Sequence, residues 1–123
     1  MKSFCEIFPR GLIVSCQARE DEPLHGSEIM ARLAVSAEMG GAGGIRANSP
    51  EDVRAIKSAC RLPVIAIYKV HTDYAGLFIT PTFETARLLA VAGADAIALD
   101  GTSRPRPGGE MLPEIIRRIH DEL

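Results

Sequence analysis

The chain has 123 residues, 46% of them hydrophobic and 24% charged, a composition typical of an ordinary globular domain. We therefore expect a single domain over residues 1–123, and the composition excludes disordered and collagen-like classes. The formal net charge of -2 provides no basic field for nucleic acid. No apolar run reaches the roughly 18 residues of a membrane helix. Because the start, MKSFCEIFPR, lacks the apolar stretch of a signal peptide, we expect a cytoplasmic protein with no nucleic-acid or membrane partner.

The first half of the chain predicts two strand–helix units. A strand over 11–17 is followed by the polar loop AREDEPLHG and a helix from Ser27 to the glycine pair at 40–41. A second strand spans 43–47. Ser49, Pro50 and two acids then form a helix start, because a hydroxyl caps the first turn and proline fits its geometry. This helix should run to about residue 61.

The second half predicts two further units of the same kind. The strand over 63–69 is rich in β-branched residues and is followed by the loop VHTDYAGLF. A helix opens at the segment 80–84 and ends at Gly93. A strand over 95–100, the loop DGTSRPRPGG and a helix over 112–123 complete the chain. The order is (βα) four times.

Each apolar run carries a polar residue near its carboxyl end. The runs and their polar residues are GLIVSCQ with Gln17, GGIRAN with Arg46, LPVIAIYK with Lys69 and ADAIALD with Asp100. Continuous apolar runs are typical of parallel strands covered on both faces, and in barrels the strand ends carry the active site. The pattern predicts an α/β fold, a parallel (βα)4 half of a TIM (β/α)8 barrel, with these four residues as its candidate site.

The four candidates suit different tasks. Lys69 can act as a base where burial and a neighbouring cation such as Arg46 favour its neutral amine, or it can extend into solvent. Arg46 can clamp a substrate oxygen or pair with a carboxylate such as Asp100. Gln17 can bind a sugar amide or hydroxyl, or satisfy a loop backbone. Asp100 can orient Lys69 or a ligand hydroxyl, or merely cap a turn.

Cysteine and histidine spacing predicts neither a disulfide framework nor a metal site. The cysteines are Cys5, Cys16 and Cys60, and the histidines are His25, His71 and His120. An odd number of cysteines without C-x-x-C, and histidines far apart, favour reduced thiols and no bound metal. Strand alternation points Cys16 away from Gln17, so we expect it to be a buried apolar side chain.

The motifs SCQ, DEPLH, IRAN, ITPT and ALD-x-T-x-R-x-RP occur in one order from about Gly11 onward. In this the chain resembles the N-acetylmannosamine-6-phosphate 2-epimerases. The resemblance implies a (β/α)8 barrel without cofactors that acts on an amino-sugar phosphate in sialic acid breakdown. It implies that Lys69 removes and returns the C2 proton while Gln17 and Arg46 hold the substrate. Asp100 is a candidate substrate-binding residue because of its position at a strand end.

Length is the main departure from that family. The acidic residues of later strands have no counterpart, and an isolated four-strand half would expose two sheet edges. We therefore expect a homo-oligomer in which two copies complete a barrel-like assembly, or else aggregation. Two other functions stay open: a non-catalytic half-barrel that binds a sugar phosphate, and a lyase that forms a Schiff base through Lys69.

Overall fold

The computed structural model describes residues 1–123, which form six strands and five helices. The strands are β1 (Ile13–Cys16), β2 (Gly44–Asn48), β3 (Val64–Ile67), β4 (Lys69–Thr72), β5 (Gly76–Ile79) and β6 (Ala96–Ile97). The helices are α1 (Phe4–Ile7), α2 (Ser27–Met39), α3 (Pro50–Ala59), α4 (Phe83–Val91) and α5 (Leu112–Glu122), with a 3₁₀ turn at Pro107–Gly109. None of the helices is long and apolar enough to cross a membrane.

Four strands form one parallel sheet in the order β1-β2-β3-β6. Each strand is joined to its neighbour through a helix, so the predicted (βα)4 order is confirmed. The register places Ser15 opposite Arg46, Arg46 opposite Ile65, and Ile65 opposite Ala96. Because all four strands run the same way, their carboxyl ends meet along one edge, where the polar candidates were expected.

The two faces of this sheet differ in burial. One row contributes Cys16, Ala47 and Ala66 to a core that the helices complete with apolar side chains. The helical members of this core are Met30 and Ala34 of α2, Val53 and Ile56 of α3, and Leu89 of α4. The alternate row keeps Ser15 exposed and Arg46 only half-buried. Helices α2, α3 and α4 therefore cover one face, whereas the other is covered only in part, with Phe8 against Gly44 and with Ile67 buried.

The predicted helix starts are confirmed in detail. The Ser49 hydroxyl accepts a hydrogen bond from the Asp52 backbone at 3.3 Å, and Pro50 occupies the first turn of α3. Thr82 caps α4 by accepting from the Thr85 backbone at 3.2 Å. Polar caps identify helix starts well because they satisfy amides that the helix itself leaves free.

Three predicted strands are shorter than expected, and the predicted loop after the third strand is a hairpin. The strand predicted over 11–17 covers only Ile13–Cys16. The strand predicted over 63–69 ends at Ile67, because the amide of Tyr68 donates to the Thr80 hydroxyl rather than to a neighbouring strand. The strand predicted over 95–100 covers only Ala96–Ile97. Within VHTDYAGLF, β4 and β5 pair antiparallel, with Lys69 opposite Ile79. The short helix α1 was not predicted either.

Candidate active site

A cleft of about 260 Å³ opens at the carboxyl ends of β1, β2 and β3. Its walls are formed by Gln17, Ala18, Arg19, Glu22, Asn48 and Lys69. Two of the four predicted site residues, Gln17 and Lys69, thus share one cleft. The other two, Arg46 and Asp100, do not line it.

Gln17 follows β1 and presents an unsatisfied acceptor. Its Nε2 donates to the Ser15 hydroxyl at 2.9 Å, which orients the amide. Its Oε1 is buried, and it is the one buried side-chain polar atom that has no hydrogen-bond partner. Such an atom costs about 1–3 kcal/mol when it stays unpaired, which favours any rearrangement that brings a hydrogen-bond donor to it.

Lys69 is the first residue of β4 rather than the last residue of β3. Its backbone amide donates to the Asn48 side chain at 2.9 Å, and its side chain is half-buried. Its ammonium forms no salt bridge, whereas the ammonium of Lys57 lies 2.7 Å from the Asp95 carboxylate. Lys69 therefore lines the cleft without an ion-pair partner, although the carboxylate residue Glu22 lines the same cleft.

Asn48 belongs to the site although the sequence analysis did not select it. It ends β2, lines the cleft and fixes the Lys69 backbone through Oδ1. Asn48 lies two positions after Arg46, so strand alternation places both on the same face of β2. Applying the strand-end rule to the true last residue of the run GGIRAN would have found it.

Arg46 lies one level below the cleft, in the half-buried row of the partly covered sheet face. Its guanidinium makes no salt bridge and no side-chain hydrogen bond, so the considered pairing with Asp100 does not form. A rigid, unpaired fork on a partly covered sheet face can bind an oxygen or an anion. Its contact with a substrate stays a prediction.

Asp100 is engaged within its own loop. One carboxylate oxygen accepts from the amide and hydroxyl of Thr102 at 2.7 and 2.5 Å, and the other accepts from Arg104 at 2.7 Å. The hydrogen bonds from Thr102, and then the Arg104 guanidinium, lower the pKa of Asp100 to about 2. The geometry matches the turn-capping alternative, and a contact of Asp100 with a substrate stays a prediction.

Cys16 is the buried apolar side chain that alternation predicted. It is 2% exposed and packs in the helix-side core. Burial, with the nearby Cys60 thiol adding to it, raises the pKa of Cys16, which disfavours the nucleophilic thiolate. His71 is exposed on the hairpin and has no partner in the cleft.

Comparison with known proteins gives a consistent family. A family model described as "NanE: Putative N-acetylmannosamine-6-phosphate epimerase" matches residues 30–123. A "Putative N-acetylmannosamine-6-phosphate 2-epimerase" from Listeria monocytogenes serotype 4b (strain F2365) is 48% identical over 121 residues, which are 98% of this chain and 52% of that protein. A relative with the same name from Latilactobacillus sakei subsp. sakei is 50% identical over 111 residues, 90% of this chain and 48% of the relative.

Solved structures agree with the sequence relatives. The N-acetylmannosamine-6-phosphate 2-epimerase from Clostridium perfringens is 41% identical with a TM-score of 0.88, and the match covers 97% of this chain and 52% of that one. The carboxyl transferase domain of Rhizobium etli pyruvate carboxylase, at 18% identity and a TM-score of 0.55, shares the fold alone; it is matched over 89% of this chain and 20% of its own.

The chain spans about half the length of the relatives it matches, and its parallel sheet corresponds to half of the epimerase barrel, as predicted. The family model covers most of the chain, and the resemblance stated from SCQ, IRAN and the later motifs is confirmed. The chain belongs to the N-acetylmannosamine-6-phosphate 2-epimerase family.

Proposed function

We propose that this chain carries the proton-transfer site of an isomerase that converts N-acetylmannosamine 6-phosphate to N-acetylglucosamine 6-phosphate by inverting C2. The observation that carries the proposal is the cleft that Lys69, whose ammonium forms no salt bridge, lines together with Gln17, whose Oε1 has no hydrogen-bond partner. An isomerase of this kind needs one group that exchanges a proton and several that hold the sugar. We infer the identity of the substrate from the family to which the chain belongs.

In the proposed reaction, the sugar opens and presents a carbonyl next to C2. The neutral Lys69 amine removes the C2 proton, and the electron pair of that C–H bond moves into the carbonyl to give an enolate. The resulting ammonium returns a proton to C2 on the other face, so no atom or electron is gained or lost. Arg46 and Gln17 hold the substrate, and no cofactor is required. General acid–base transfer of this type contributes about 10²–10⁴-fold in rate.

The carbon acid is weak, so the enolate oxygen needs a cation near it. Arg46 is the candidate, since its guanidinium is unpaired and belongs to the strand next to the one that precedes Lys69. Asp100 is proposed to act through its loop or on a ligand hydroxyl. We also propose that the reaction serves sialic acid breakdown in the cytoplasm, where a charged sugar phosphate is retained by the membrane.

Proton NMR of N-acetylmannosamine 6-phosphate in heavy water tests the mechanism. We expect the wild-type chain to replace the C2 proton with deuterium, and Lys69→Ala to do so about 10²-fold more slowly or worse. Lys57→Ala is the matched control, because Lys57 pairs with Asp95 outside the cleft and should leave the rate unchanged. Equal rates for wild type and Lys69→Ala would refute the role of Lys69.

A second candidate function is binding without turnover, and the half-length coverage of the relatives supports it. Saturation-transfer NMR with the same sugar phosphate distinguishes the two. If the folded chain binds the sugar phosphate but exchanges no C2 proton, it is a non-catalytic half-barrel. A sugar trapped on Lys69 by borohydride would instead indicate Schiff-base chemistry, because a simple proton carrier forms no such bond.

We further propose that two copies associate through the partly covered sheet face and the edge strands β1 and β6. Unpaired backbone groups on sheet edges favour pairing with another chain. Light scattering should then give at least twice the mass of 13.2 kDa. A stable monomer over the concentration range of the NMR assay would refute self-association.

A further inference from the structure

The β4–β5 hairpin, which begins with Lys69, is not part of the main sheet. It forms a separate two-stranded sheet with four residues in each strand. Isolated hairpins of this size are marginally stable at best in water. Contacts from elsewhere in the chain must therefore hold the hairpin, and with it the backbone of Lys69, in one position.

Arg104, from the loop after β6, makes the densest set of these contacts. Its Nη1 donates to the Ala75 carbonyl at 2.9 Å, and its Nη2 lies 3.4 Å from the Leu77 carbonyl. Its guanidinium carbon stacks 4.1 Å from the centre of the Phe78 ring, which is fully buried. The Arg104 guanidinium thus contacts the hairpin through two backbone carbonyls and the face of one aromatic ring.

Asp100 orients that fork from the other side. Its Oδ2 accepts from Arg104 Nη2 at 2.7 Å, while Thr102 fixes its Oδ1. Arg106 supports the same arrangement, since its guanidinium carbon lies 5.3 Å from the Phe78 ring centre and it donates to the Pro81 carbonyl. Tyr74 at the hairpin turn donates to the Pro105 carbonyl at 3.1 Å.

We propose that Arg104 is a positioning residue: it locks the β4–β5 hairpin to the Asp100 loop and so fixes Lys69 in the cleft. The catalytic consequence rests on the proposed function, whereas the structural lock does not. Lysine cannot replace Arg104, because an ammonium has no planar fork to bind two carbonyls and a carboxylate while stacking on a ring. The lock therefore depends on guanidinium geometry and not on charge alone.

Amide hydrogen exchange of Arg104→Ala and Arg104→Lys tests the lock without any turnover. We expect residues 70–79 to exchange about tenfold faster or more in both variants, because neither side chain can reproduce the hydrogen bonds of the guanidinium to Ala75 and Leu77. Amides of α3 should keep their wild-type rates. Arg87→Ala is the matched control, because Arg87 pairs with Glu84 on the exposed surface of α4. Unchanged hairpin exchange, or restoration by Arg104→Lys, would overturn the lock; if Arg104→Ala unfolds, Arg104→Lys alone decides.

The link to Lys69 has its own readout. The chain has three lysines, Lys2, Lys57 and Lys69, so ¹³C-dimethylation of the amines gives few NMR signals. The signal that disappears in Lys69→Arg is that of Lys69. We expect the Lys69 signal to shift in both Arg104 variants and the Lys57 signal to stay. C2 exchange should fall about tenfold with little change in substrate affinity. A mobile hairpin with an unshifted Lys69 signal would overturn the positioning role. A wild-type chain without C2 exchange would overturn the proposed function but leave both lock readouts decisive.

Discussion

Replacing Thr80 with valine should destabilise the fold well beyond what the change in side-chain size would cause. Thr80 is fully buried, and its hydroxyl accepts from the Tyr68 amide at 3.0 Å and donates to the Ala98 carbonyl at 2.8 Å. Valine is nearly the same size and is also β-branched, so it meets the same backbone strain at φ 46°. What it loses is the hydroxyl. Two polar groups are then left unpaired at about 1–3 kcal/mol each, and since both are half-buried we expect a total of about 2–4 kcal/mol.

Thr80→Ser is the matched control because it keeps the hydroxyl and loses a methyl group, which costs about 1 kcal/mol. Urea unfolding followed by circular dichroism gives the free energy of unfolding of each variant. We expect valine to be less stable than serine by about 1–3 kcal/mol. A valine variant as stable as the serine variant would show that the hydroxyl does not join Tyr68, which follows β3, to Ala98, which follows β6.

Two further substitutions test the packing of Gly44 against Phe8 and the charge of the Asp100 carboxylate. A Cβ at Gly44 would lie 2.7 and 2.9 Å from two ring carbons of Phe8, so Gly44→Ala should cost about 1–3 kcal/mol of unfolding free energy, yet become neutral or stabilising in a Phe8→Ala background. An additive double-mutant cycle would contradict that contact. The pKa of Asp100 falls from 3.8 in the unfolded chain to about 2 in the fold, so its contribution is complete above about pH 4 and is lost as the pH drops toward 2. Acid titrations should therefore show a shallower loss of stability over that window for Asp100→Asn, and identical curves would refute the Arg104 and Thr102 contacts.

The sequence predicted the fold class and the helices because those depend on local signals. The signals used were the alternation of apolar residues and the polar caps at Ser49 and Thr82. Each of these signals lies within a few residues of the strand or helix that it predicts. The strand ends depend on partners distant in sequence, and there the prediction was wrong. Tyr68 and Ala98 have strand-like neighbours, but their backbone groups bond to the Thr80 side chain instead of continuing the ladder.

The same distinction explains the site. The convergence of Gln17 and Lys69 follows from parallel strands whose ends must meet, so the pattern was sufficient to predict it. The position of Asn48 at the end of β2 was predictable in this way, but neither its hydrogen bond with the Lys69 amide nor the contacts of Arg104 were. A side chain that binds the backbone of another segment leaves no periodic signal in the sequence. Nothing in the motifs IRAN and TSRPRP therefore indicates that the asparagine and the arginine make such contacts. Asp100 was predicted from its position, whereas the hydrogen bonds from Thr102 and Arg104 that lower its pKa were not.

Lys69 is held by residues that are far from it in sequence. The Asn48 side chain accepts a hydrogen bond from the Lys69 amide, and the Thr80 hydroxyl accepts one from the amide of the preceding residue, Tyr68. Arg104 donates to the Ala75 carbonyl at the opposite end of the β4–β5 hairpin. These three residues come from different βα units. The native position of Lys69 therefore depends on contacts from the units that contain β2, β3 and β6. The proposed proton transfer tolerates little misplacement, so these contacts would compensate for the marginal stability of the hairpin.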